Sequence, residues 1–206
     1  MRRCSAVAAK STGAGSLAIL LKEIRGCTLC AKDLVDGVRP VVRARSSARI
    51  LVAGQAPGSK VHATGIPFDD PSGDRLREWM AIDASTFYDD SKIALVPMGF
   101  CYPGKGKSGD LPPRPICADT WRQRLVNALP NLRLVLVIGQ YAQTWHLDKV
   151  EKNLTETVRS FRDYGQQIMP LPHPSPRNNI WLKRNPWFDT DVLPELRLRV
   201  LKALGE

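Results

Sequence analysis

Residues 132–142, LRLVLVIGQYA, decide the fold. Leu134–Ile138 is a continuous apolar run, rich in β-branched residues and bounded by Arg133 and Gly139, and such a run reads as a buried strand. From Gln140 onward the pattern turns helical. Three more short apolar runs share this character: RILVAGQAPG (49–58), KIALVPMGFC (92–101) and QQIMPLP (166–172). Between and around them lie amphipathic stretches of helical period. These are SLAILLKEIR (16–25), stopped by Gly26, then GDRLREWMAI (73–82), CADTWRQRLVNAL (117–129) and VLPELRLRVLKAL (192–204). Four buried strands alternating with helices, with no Asn-Gly hairpin signal between them, predict an α/β protein. Its architecture is a three-layer α/β/α arrangement around a central, mainly parallel four-stranded sheet.

In such sheets ligands bind beyond the carboxyl ends of the strands. Three loops leave those ends: GQAPG (54–58), the segment between Cys101 and Cys117, and HPSPR (173–177).

The 206 residues suffice for one well-buried core, and 43% hydrophobic with 24% charged content is that of an ordinary soluble domain. Residues 1–15, rich in Ala, Ser, Gly and Lys, read as a disordered tail, leaving 16–206 as a single domain. No apolar run reaches bilayer-spanning length and the N-terminus lacks a secretory signal, so the reading is of a cytoplasmic monomer with no membrane partner. Thirty Lys and Arg against 20 Asp and Glu give a net charge of +10, which favours a polyanionic partner, most often nucleic acid.

Of the five cysteines, Cys27 and Cys30 form a C-x-x-C, and Cys101 and Cys117 flank a Gly- and Pro-rich loop. Four thiolates in two such groups suit an iron–sulphur cluster or a zinc ion. Cys4 lies apart, in the tail. In GQAPG, Gly54 and Gly58 let backbone approach a ligand and Pro57 stiffens the turn. Just downstream, GIPFDDPSGDRL sets Phe68 among turn residues beside Asp69 and Asp70, where an aromatic ring serves either as a stacking platform for a base or as a core plug. His173 stands between prolines at a strand end, a setting that suits one hydrogen bond held in a fixed direction. His146, inside a helical stretch, reads as structural.

These residues carry a resemblance. CTLC (27–30), GQAPG (54–58), GIPF (65–68), FCYPGKGKSGDLPPRPICA (100–118) and HPSP (173–176) occur in the order of the corresponding motifs of the uracil-DNA glycosylase superfamily. The sequence resembles in particular its bacterial and archaeal branch with a [4Fe–4S] cluster. The likeness runs from about residue 16 to the C-terminus.

The resemblance implies hydrolysis of the N-glycosidic bond of uracil or another deaminated or damaged base, flipped out of DNA into a pocket. It implies a 4Fe-4S cluster on Cys27, Cys30, Cys101 and Cys117. Gln55 and His173 would be the catalytic pair, His173 hydrogen-bonding the base's O2 as negative charge develops there. Gly54, Ala56, Pro57, Gly58, Phe68 and Asp69 would form the base site, with Phe68 stacking on the base. Ser175, Arg177, Lys183 and Arg184 would contact DNA.

Two positions depart from the branch. Gln55 stands where the branch has Glu, and an amide positions a water but cannot take its proton. Pro97 stands where the branch has an Asn that reads the Watson–Crick edge of uracil. Asp69 and Asp70 are candidates to replace the missing carboxylate. RNNIWLKRNPWF (177–188) reads as a wedge or as a packed cap. The alternative function is a non-catalytic or weakly active iron–sulphur DNA-binding protein of the same fold.

Overall fold

The computed structural model describes residues 14–205. The expected tail falls almost wholly outside them. In chain order the elements begin with α1 (Ala14–Arg25), β1 (Ile50–Ala53), α2 (Ser59–Thr64), α3 (Pro71–Met80), α4 (Ala84–Phe87) and β2 (Ile93–Leu95). Then come β3 (Lys105–Gly106), β4 (Gly109–Asp110), α5 (Pro115–Cys117) and α6 (Gln123–Asn127), with a π-helical turn at Ala118–Arg122 joining the last two. The chain closes with β5 (Leu134–Ile138), α7 (Gly139–His146), α8 (Leu154–Arg159), β6 (Ile168–Leu171), α9 (Asn179–Arg184) and α10 (Leu193–Leu204).

The central sheet has the order β2-β1-β5-β6 and all its pairings are parallel. Strand side chains alternate between faces. Ile50, Val52, Leu134, Leu136 and Ile138 therefore join Leu76, Trp79, Leu196 and Val200 of α3 and α10 in one apolar layer. Leu51 and Ala94 join Leu17, Leu20, Leu21, Ile24 and Leu125 of α1 and α6 in the other. Ala53 and Val137 meet Ala142 of α7 on the same side. Both faces are covered, which is why the strands read as continuous apolar runs. Burying one such Leu or Ile contributes about 1.5–3 kcal/mol.

Pro170 lies inside β6, opposite Val137. It is tolerated because β6 is an edge strand, where the missing N–H breaks no ladder on the open side. The short α2, α4 and α8 were not anticipated, and neither was the β3–β4 hairpin within the Cys101–Cys117 segment. Each of its strands is two residues long, Lys-Gly in one and Gly-Asp in the other, so it has no apolar alternation to reveal it. Among the described residues no helix is long and apolar enough to cross a membrane.

Candidate active site

A cavity of about 500 Å³ opens at the carboxyl ends of the parallel strands. Gly54–Gly58 after β1, Pro97 after β2 and His173 after β6 all line it. A second cavity of about 350 Å³ adjoins it, reached by Gly139 and Gln140 at the end of β5. Gln55, Asp110, His173 and Asn178 line both, so these four side chains stand at the centre of the site.

The prolines around His173 are half of what fixes it. Asn178 Nδ2 donates to the His173 carbonyl at 2.7 Å, and Arg75 reaches across from α3 to donate to the Ser175 carbonyl at 3.1 Å. The backbone N–H of Ser175 donates to Nδ1 of His173 at 3.2 Å. Nδ1 is thus an acceptor, and the neutral ring carries its proton on Nε2. Burial holds the His173 pKa below its ordinary value, with the charges of Asp70 and Asp110 acting the other way. The group offered to the cavity is a neutral imidazole with an N–H to donate.

Phe68 forms a wall of the cavity. Its φ of 57° is a left-handed conformation unusual for a bulky residue. Two contacts maintain it. Tyr88 donates its hydroxyl to the Phe68 carbonyl at 3.2 Å, and Gly73 leaves room for that carbonyl, where a Cβ would stand 1.8 Å from the oxygen. The ring packs on Gly54 and meets Phe87 edge-on at 5.9 Å. It is a half-buried platform braced from behind.

The other expected residues divide. Gly54, Gln55, Ala56, Pro57, Gly58, Ser175 and Arg177 line the cavity with His173 and Phe68. Asp69 is exposed and is not among the lining residues, whereas Asp70 is. Asp70 also caps α3, its Oδ1 accepting from Gly73 N–H at 2.9 Å. Lys183 and Arg184 lie exposed in the last turn of α9, outside the cavity. In the Trp-rich segment, Trp181 and Trp187 pack edge-on against each other, and Trp181 also meets Phe188 edge-on. Those two are a cap, while Ile180 remains 64% exposed beside them. Asp110 was missed. It sits at the end of GKGKSGD, whose Gly and Lys content reads only as loop.

Beneath the site lies a buried cation. Arg122, wholly buried, donates to the carbonyls of Val96 (2.6 Å) and Pro97 (2.9 Å) and, through Nη2, to Nε2 of His146 at 2.7 Å. Burial pushes its pKa down to about 9, while the neighbouring Cys117 acts the other way, so the guanidinium stays charged at neutral pH. Burial, and then the Arg122 charge, hold His146 well below the ordinary histidine range. This pair anchors the end of β2, which supplies Pro97 to the cavity. His146 is structural, as its setting in the sequence indicates.

Cys27, Cys30, Cys101 and Cys117 line one small cavity with Leu29, Leu34, Phe100 and Trp121. The Phe100 N–H donates to Cys117 Sγ at 3.4 Å, and the backbone of Arg39 acts on the Cys101 thiol against the effect of burial. Burial raises the pKa of Cys30 and Cys101 and pushes Cys117 up to about 12. Among the described residues no three His, Cys, Asp or Glu side chains are drawn together as ligands of a single metal ion would be. The donor set nonetheless has the chemistry a thiolate-ligated centre needs: four thiols on one apolar-walled cavity, with a backbone N–H on the sulphur of Cys117.

The fold and site together define a parallel α/β protein. A rigid neutral histidine, an aromatic platform and a glycine-rich turn converge beyond the strand ends. The family model of the Uracil DNA glycosylase superfamily matches residues 42–197, and the chain belongs to that superfamily.

Proposed function

We propose that this protein is a DNA base-excision glycosylase that hydrolyses the N-glycosidic bond of uracil or another deaminated base. The observation that carries the reading is the convergence of His173, Gln55 and Phe68 on one cavity at the strand ends. A flipped base stacks on Phe68. The C1′–N bond lengthens, the sugar becomes cationic and the base takes the electron pair. The Nε2–H of His173 stabilises that developing anion, with little reorganisation because the loop is already fixed. Gln55 orients the attacking water.

Arg177, which lines the cavity, and Lys183 and Arg184, exposed on α9, would contact DNA phosphates. The exposed Ile180 of α9 would fill the gap left in the stack. Cys27, Cys30, Cys101 and Cys117 would hold a [4Fe–4S] cluster of the superfamily's iron–sulphur branch. When bound, the cluster supplies a cross-link between the end of α1 and the segment that carries the β3–β4 hairpin.

Gln55 and Pro97 favour a second reading, a binder of damaged DNA without turnover, because neither side chain takes a proton or reads uracil. Oligonucleotides each carrying one deaminated base, treated with alkali after incubation, separate the two. Scission at the lesion is expected. Strands bound but left intact would favour the binder.

A further inference from the structure

We propose that Asp110 is the carboxylate that accepts the proton of the attacking water, from a position across the cavity from Gln55. The inference rests on the glycosylase reading above.

Asp110 belongs to β4, paired with Lys105 of β3, and the hairpin folds over the mouth of the cavity. Its carboxylate reaches the glycine-rich turn: Oδ2 lies 3.5 Å from where a Cβ on Gly58 would stand. The same side chain lines both adjoining cavities beside His173 and Gln55. Its charge acts on the His173 imidazole, which places the two groups within electrostatic reach in one space.

The hairpin is keyed in place from the other side. Gly109, at φ 149°, leaves the space taken by Arg177, whose Nη1 would lie 2.5 Å from a Cβ there. Asp110 is therefore held between the turn after β1 and the loop after β6, the two segments that carry Gln55 and His173.

The rival carboxylates are less suited. Asp69 is not among the cavity-lining residues. Asp70 lines the cavity but has Oδ1 committed to the cap of α3. Asp110 caps no helix. An amide at 55 cannot take a proton, and a hydrolase that leaves water to attack unaided forgoes roughly 10²–10⁴ in rate.

The water oxygen forms a bond to C1′ as the C1′–N bond breaks. The electron pair of that bond leaves with the base. One water proton passes to the Asp110 carboxylate and then to solvent, and the base anion is protonated from solvent. The products are the free base and an abasic 2-deoxyribose.

The test compares full-length parent, Asp110→Asn and His173→Ala on uracil, hypoxanthine and xanthine in single-stranded and duplex oligonucleotides. On the probe the parent cleaves fastest, single-turnover rates at saturating protein and DNA affinity by anisotropy are measured separately. Asp110→Asn should lose about a hundredfold in saturated rate, while binding DNA as tightly as the parent or more so, since a negative charge has left the interface. A saturated rate within threefold of the parent, with His173→Ala impaired, would overturn this inference alone. So would a loss confined to DNA affinity, which would make Asp110 a structural part of the mouth. A parent inactive on every probe would overturn the glycosylase reading and this inference with it.

Discussion

The backbone N–H of Ser175 donates to Nδ1 of His173, two residues back, at 3.2 Å. Ser175 has φ −58° and ψ 142°, values a proline adopts without strain. The tautomer-fixing N–H can therefore be removed while the backbone shape is kept. Ser175→Pro should lower the single-turnover rate roughly fivefold, the worth of one ~1 kcal/mol hydrogen bond. Ser175→Ala, which retains the N–H, should fall less. Equal rates for the two variants would show that this hydrogen bond does not set the state of the ring.

Gln55 lines the same cavity as His173. Gln55→Glu should raise the rate on uracil about tenfold, by adding a second group able to take a proton from water. Gln55→Ala should cost less than His173→Ala, because an amide contributes positioning only. These are read from single-turnover time courses with uracil-containing DNA. A slower Gln55→Glu protein would mean that the added charge repels the DNA more than it helps the water.

The four cavity-lining thiols lead to an expectation about metal. Protein purified without oxygen should be brown, with about four irons per chain. Cys101→Ser or Cys117→Ser should lose the colour and loosen the β3–β4 hairpin, measured as faster amide exchange over residues 102–114. A colourless protein with one zinc, or full protection of the hairpin in the cysteine variants, would contradict the cluster and its bracing role.

Stability should fall on mild acidification. His146 and His173 both have pKa values depressed by burial, so the unfolded chain binds protons that the folded chain refuses. The unfolded histidines protonate near their ordinary value of about 6.5. The stabilisation they confer is thus complete above pH 7 and is lost as the pH falls through 6.5 toward the folded pKa values. The slope approaches about 1.4 kcal/mol per pH unit for each histidine. Asp83 and Asp89, whose pKa values are lowered, act only below their ordinary 3.8. His146→Gln keeps an acceptor for Arg122 and should flatten the dependence between pH 7 and 5, measured by urea unfolding. An unchanged slope would show that His146 binds its proton equally in the folded and unfolded states.

Much of this was legible in the sequence, and what was not has physical causes. The four strands announce themselves because both faces of a parallel sheet are covered, leaving the continuous apolar runs of β1, β2, β5 and β6. The His173 loop is marked by its prolines, and the GQAPG turn by its glycines. Asp110 is different. It is an exposed residue on a two-residue strand, and only the folding of that hairpin against Gly58 and Arg177 brings it to the cavity. The strain at Phe68 was also out of reach, since it depends on Gly73 and Tyr88, five and twenty residues further on. Arg122 offered no signal beyond an arginine on the buried side of an amphipathic helix.

The central claim is that His173 stabilises a base anion as the glycosidic bond breaks. The most direct measurement is the release of free base, detected by mass, from DNA carrying a single deaminated base under single-turnover conditions. The parent should release the intact base and leave an abasic strand. His173→Ala should do so about a hundredfold more slowly, the cost of removing a donor aimed at developing charge, with DNA affinity unchanged. A His173→Ala protein as fast as the parent would contradict the account.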